Sequence, residues 1–239
     1  MIPSFRCVSV ALTALLTTAS ACFGAEPGYG PNKGGVGGGM GGCKFVQDAD
    51  YSEGSALRFA FSGTFRYVMR PWLRWQVSPG FTWSAYQVGS PAPFPDPDHP
   101  ADVNKDETLT LMVPVSAQVQ LVERRGWWLY HFGAGPGVYR VWVENRRDVI
   151  QDPVTHRRHR GSYFGLTGEL GAERFLRALT TTSVEAVVAG HLVFAERDDQ
   201  FPSGWNSNVL PIEFRLCVNY YFDMLRSKPS LPTVAPTKP

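Results

Sequence analysis

Residues Ser55 to Tyr86 alternate strictly between apolar and small or polar side chains, and few folds accommodate that pattern. In the first half Leu57, Phe59, Phe61, Gly63, Phe65, Tyr67 and Met69 take the odd positions, against Arg58, Ala60, Ser62, Thr64, Arg66 and Val68. Beyond Arg70-Pro71 the same parity resumes. Leu73, Trp75, Val77, Pro79, Phe81, Trp83 and Ala85 face away from Arg74, Gln76, Ser78, Gly80, Thr82 and Ser84. Period-two alternation marks β-strands with one apolar and one polar face. Segments this long exceed the usual soluble strand of about 5–6 residues. They suit tilted transmembrane strands, which need about 9–11 residues.

Five further segments repeat the pattern: Thr108–Val122, Trp127–Val143, Tyr163–Glu173, Thr181–Ala195 and Val209–Phe222. In Trp127–Val143 the parity blurs near Arg140, which predicts a β-bulge. Connections alternate in length. Short turns fall at Arg70-Pro71, Glu123–Gly126 and Arg174–Thr180, and long polar segments at Gln87–Glu107, Glu144–Ser162 and Glu196–Asn208. Short turns on one side and long loops on the other are the pattern of bacterial outer-membrane barrels. With both termini on the short-turn side, seven strands require an eighth before Ser55. The glycine-rich stretch, with nine Gly between Gly28 and Gly42, supplies it near Val36–Val46; a flexible linker is the competing reading. The expected fold is all-β, an antiparallel up-and-down transmembrane β-barrel of eight strands spanning residues 36–222.

Charged residues make up only 18% of the 239 residues, below the roughly 25% of soluble domains. Residues 1–25 read as a signal peptide: Arg6, an apolar run from Val8 to Leu16, then small residues with Ala19-Ser20-Ala21 or Ala25 at the cleavage site. Cleavage before Cys22 would permit lipidation. Removing Arg6 leaves 22 basic against 21 acidic residues, too even a balance for a nucleic-acid partner. Residues 26–35 form a Gly-rich N-terminal segment. Residues 223–239, with Pro229, Pro232, Pro236 and Pro239, form a disordered tail on the periplasmic side.

The segments FRYVMRPWLRWQVSPGF and YHFGAGPGVYRV, with a last strand ending in NYYF, resemble the small outer-membrane β-barrel proteins of Gram-negative bacteria, the OmpA/OmpW-like barrels. The resemblance implies location in the outer membrane, contact with outer-membrane lipid and lipopolysaccharide, and a monomer. It carries over fold and location rather than activity; no cofactor, catalytic residue or metal site is expected from the residues themselves. A departure is the Pro-rich tail that follows the terminal aromatic Phe222.

Aromatics near strand ends (Trp72, Trp75, Trp127, Trp128, Trp142, Tyr220) suit girdles at the two headgroup levels. The inward faces carry Arg58, Arg66, Arg74, His131, Glu169, Glu173, Glu185, His191, Glu213 and Arg215. An eight-stranded barrel is just wide enough for side chains to fill, so these charges must pair. Two ion-paired layers are expected. Arg66, Arg74, Glu173 and Glu185 lie toward the periplasm; Arg58, His191, Glu213 and Arg215 lie toward the outside. A proton or solute path is the functional alternative.

Cys43 and Cys217 fall on the first and last strands, neighbours in a closed barrel. They are candidates for a disulfide, with two buried free thiols as the other reading. Arg146, Arg147, Arg157, Arg158 and Arg160, beside His156 and His159, crowd one external loop, where guanidinium forks could bind lipopolysaccharide phosphates.

Gly133-Ala-Gly135-Pro-Gly137 lacks the strand–turn–helix setting of a nucleotide loop. Asp102-Val-Asn104-Lys-Asp106-Glu107 lacks the glycine and terminal Glu of a calcium loop. His156 with Ser162 is the nearest pairing for a lipid A-modifying enzyme, and no deacylase-type His-x-Ser-Asn motif occurs. The function expected is a non-enzymatic barrel acting in envelope integrity or surface interaction. A conduit for small or apolar molecules is the runner-up, and a soluble barrel with apolar side chains inside is a further alternative.

Overall fold

The computed structural model describes residues 27–46, 55–86, 108–145, 148–149, 156, 158, 160–195 and 209–224. The expected signal peptide and most of the Pro-rich tail lie outside these. So do Arg146, Arg147, Arg157 and His159, and the acidic segment 102–107.

Eight long strands hold nearly all described residues: β1 (Lys33–Phe45), β2 (Arg58–Arg70), β3 (Leu73–Tyr86), β4 (Thr108–Arg125), β5 (Trp128–Asn145), β6 (Arg160–Leu176), β7 (Leu179–Val193) and β8 (Pro211–Asp223). Two-residue pieces at Ser55–Ala56 and Asp148–Val149 extend the ladders of β3 and β5 at the long-segment end. Every strand pairs antiparallel with its sequence neighbours, and β1 pairs with β8 from Lys33↔Asp223 to Phe45↔Pro211. The sheet therefore closes on itself as an eight-stranded up-and-down barrel with no free edge.

Alternation decides which face turns in. Phe59, Phe61, Phe65, Phe164 and Leu170 lie on the exterior, with Phe164 75% exposed, whereas Arg74 and Glu173 inside are 0% exposed. Apolar side chains point out and ionic ones point in. This is the reverse of a soluble barrel with a greasy interior.

The glycine-rich stretch is a full strand, three residues longer at its start than the expected Val36 boundary. Its inward glycines make room for the plug: a Cβ at Gly39 would collide with the Cys217 Sγ, and one at Gly37 with the Asn219 Oδ1.

Two expectations are corrected. No bulge occurs at Arg140, because β5 keeps one register with β4 from Thr108↔Asn145 to Arg125↔Trp128. The parity only looked broken. Arg140 continues the exterior face, where its Nη1 donates to the Ser162 hydroxyl at 2.9 Å, and Val141 continues the buried one. Cys43 and Cys217 do lie on neighbouring strands but are free thiols. Cys43 faces Glu213 and Cys217 faces Gly39, a stagger of four residues. At about 3.3 Å per residue that separation is beyond a disulfide's reach.

Candidate functional site

The lumen is the most elaborate constellation among the described residues. At its short-turn end β2 and β3 supply Arg66 and Arg74, and β6 and β7 supply Glu173 and Glu185 from across the barrel. Arg74 lies 2.7 Å from Glu173 and Arg66 lies 2.6 Å from Glu185. The crossed pairs, Arg66–Glu173 at 3.5 Å and Arg74–Glu185 at 3.3 Å, close a square. Its remaining lone pairs are occupied: the Tyr221 hydroxyl donates to Glu173 at 2.9 Å, and Ser183 donates to it as well. Asn219 donates to Glu185 at 3.1 Å. The Nε of Arg66 donates to Gln76 at 2.6 Å, and that of Arg74 donates to Gln120. Buried charges are tolerated only when paired and hydrogen-bonded in this way.

His131 and Glu169 join this square to the outer layer. His131 Nε2 stands 2.7 Å from Glu185 and its Nδ1 3.9 Å from Glu169. Gly171 leaves the space the imidazole occupies. Glu169 accepts from Gln76 at 3.0 Å and lies 3.6 Å from Arg215. Arg215 in turn pairs with Glu213 at 2.8 Å, and His191 stands 3.8 Å from Glu213 and 3.1 Å from the Tyr139 hydroxyl. The two expected layers thus form one continuous chain of polar contacts from Tyr221 to Tyr139.

Arg58 does not join it. The side chain is exposed, at the end of β2 beyond the first β2–β3 pair, Ala60↔Thr82, and makes no ion pair among the described residues. A guanidinium at a strand end keeps its hydration rather than entering the lumen unpaired.

Apolar clusters inside the barrel bracket the ionic chain. Tyr29, Val68, Val122, Leu129, Phe175 and Tyr221 pack at the short-turn end. Cys43, Phe45, Ala60, Met112, Tyr139, Val141, Val193 and Val209 are among those packed at the other. Tyr29 belongs to the segment before β1, which folds under the barrel: Gly28 N–H donates to Thr180 C=O at 2.6 Å, and Asn32 N–H to Val68 C=O at 2.8 Å. The Tyr29 ring meets Tyr221 and Phe175 edge-on, at centroid distances of 5.8 and 6.4 Å. Alternation within strands gives no hint of this residue.

Of the arginines expected to meet lipopolysaccharide, Arg158 and Arg160 are described, and both are exposed at the long-segment end.

No protein-family model matches the chain, and no curated protein does. Among solved structures, Neisserial surface protein A (NspA) superposes with a TM-score of 0.51 at 13% identity, covering 79% of this chain and 97% of that one. The chain has the fold of the eight-stranded outer-membrane β-barrels. The outer-membrane protein AlkL, solved in DMPC lipid bilayers, gives 0.48 at 14% identity over 87% of this chain and 99% of that one. The N-terminal β-barrel domain of Pseudomonas aeruginosa OprF gives 0.47 at 11% identity over 81% of this chain and 100% of that one. At these identities the likeness concerns the barrel fold. The side chains that fill this barrel are read from this chain alone.

Proposed function

We propose that the chain is a barrel of the bacterial outer membrane with a closed lumen, acting without catalysis through its long-segment face in envelope integrity or surface contact. The observation that carries this reading is the reversal of the usual core: an exterior of exposed Phe, Leu and Val around a lumen of buried ion pairs capped at both ends. Only a hydrocarbon surround makes such an exterior favourable over all eight strands. Lys33 and Asp223, paired at 2.7 Å, bring both ends of the sheet to the short-turn rim, the periplasmic side in this reading.

Membrane fractionation with heat-modifiable gel mobility, and conductance in planar bilayers, test it together. The expected result is a carbonate-resistant protein whose mobility shifts on boiling and whose conductance stays far below that of a general porin. A carbonate-soluble protein with no mobility shift would sink the membrane reading; porin-sized steps would sink the closed lumen.

Lipopolysaccharide is the partner proposed for the long-segment face, through Arg158 and Arg160 together with Arg146, Arg147 and Arg157. Replacing all five by Ala is expected to lower lipopolysaccharide binding, and unchanged binding would remove this contact.

A second reading, a conduit for small apolar molecules, draws on a wall dent of about 280 Å³ lined by Ala134, Gly168, Gly190, Leu192 and Leu210, among others. Gly168 and Gly190 face each other across β6 and β7, and no atom lies within 4 Å of a Cβ built on Gly190. Gly190→Leu would fill the dent and slow uptake of an apolar probe only if the wall is a route.

A further inference from the structure

Every short turn of this barrel carries arginine, and on one side of the rim the arginines are organised around aromatic rings. Arg125 on β4 faces Trp128 on β5, and Trp128 faces Arg174 on β6, so the three side chains form one row across three strands. The Arg174 guanidinium lies over the Trp128 ring at 5.3 Å, and that of Arg125 over the Tyr130 ring at 6.0 Å. Trp128 and Tyr130 stack on each other at 6.2 Å with their planes 13° apart. Both rings are exposed on the barrel exterior, at 40% and 43%.

Cations held over ring faces can still present N–H donors at the ring edge and have already lost part of their rotamer freedom, although Arg125 gives its Nε and Nη2 to Glu123. The surrounding charge has one sign. Lys33 and Asp223 neutralise each other, which leaves Arg70, Arg124, Arg125, Arg174 and Arg177 against Glu123 alone at the described rim. Glu123 does pair with Arg125, at 2.8 Å, but both partners are exposed and such a pair is weak. Arg174 has no carboxylate partner among the described residues.

Building on the membrane reading above, we propose that the Arg125–Trp128–Arg174 row is a headgroup site for an anionic phospholipid of the leaflet on the short-turn side. Its phosphate is received between the two guanidiniums, and its glycerol backbone and upper acyl chain lie along the stacked Trp128 and Tyr130. Arginine forks fit phosphate oxygens, and indole and phenol rings favour the headgroup level. The site differs from the long-segment arginines in leaflet, in its aromatic support and in the lipid class it takes.

The test uses the full chain folded into vesicles of equimolar phosphatidylglycerol and phosphatidylcholine, with native mass spectrometry of the released protein counting retained lipids. The expected ratio of retained phosphatidylglycerol to phosphatidylcholine is on the order of tenfold at low salt, from two arginines at a charged headgroup plane. It should fall close to one in the Arg125→Gln/Arg174→Gln variant with heat-modifiable mobility unchanged. The Arg124→Gln/Arg177→Gln variant, which removes the same charge from the same rim away from the rings, should keep most of the preference. An equal loss in both variants would show a diffuse surface charge and overturn the site. So would a wild-type ratio of one in protein that has inserted. Failure to insert into either lipid would instead sink the membrane reading beneath it.

Discussion

Glu173 sits at the centre of the short-turn layer of the lumen. It receives Arg74, Tyr221 and Ser183 and lies within 3.5 Å of Arg66, while fully buried. Glu173→Gln keeps its shape but leaves two guanidiniums facing one carboxylate. The expected loss is about 3–5 kcal/mol, as for other buried pairs stripped of one partner, read as the urea midpoint of the heat-modifiable form. Glycines separate into two kinds on the same assay. Gly39→Ala forces a methyl against Cys217 and is expected to destabilise by about 1–3 kcal/mol, whereas Gly190→Ala meets no atom and should leave the midpoint unchanged. Parity alone was enough to place Arg66, Arg74, Glu173 and Glu185 inside and to group them at one end. It could not exclude Arg58, which has the right parity but stands at the last pair of its ladder with β1, Cys43↔Arg58, and beyond the first pair of its ladder with β3. Nor could it show that His131 and Glu169 weld the two layers, since the contacts of His131 with Glu185 and of Glu169 with Arg215 run between strands that are not neighbours and depend on how the barrel is sheared.

At the scale of the element, seven strands were visible as alternation, because each must match hydrocarbon outside and ionic neighbours inside. β1 was different: its seven glycines carry no alternation, and only the count of strands needed for closure pointed to it. Its register, invisible in the composition, decides the fate of the cysteines. Cys43 and Cys217 are expected to stay unmodified by iodoacetamide in the folded barrel and both to react after denaturation without reductant; a pair that reacts only after reduction would contradict the four-residue stagger. The segment before β1 is a separate case, since its capping role rests on one ring. Tyr29→Ala removes the edge-on contacts with Phe175 and Tyr221 and opens the short-turn end to water. Amide exchange at Leu129 and Phe175 should then accelerate while the long-segment end is unaffected.

For the molecule as a whole, the ladder β1–β8 means that the first and last strands meet only when everything between them has been delivered. The lumen obeys the same timetable. Arg66 and Arg74 arrive early in the chain, and their counter-ions at 173 and 185 arrive 99 to 119 residues later, with Tyr221 and Asn219 later still. Until then the two guanidiniums have no reason to leave water, and a half-built sheet has no reason to curl around them. A chain ending before Pro211 should therefore remain protease-sensitive and never acquire the heat-modifiable mobility, however well its hairpins pair. The square thus reports on its own completeness: a polypeptide that lacks the last strand still carries all four charges but leaves Glu173 without the Tyr221 hydroxyl and Glu185 without the Asn219 amide, two buried carboxylates short of the donors that make their burial tolerable.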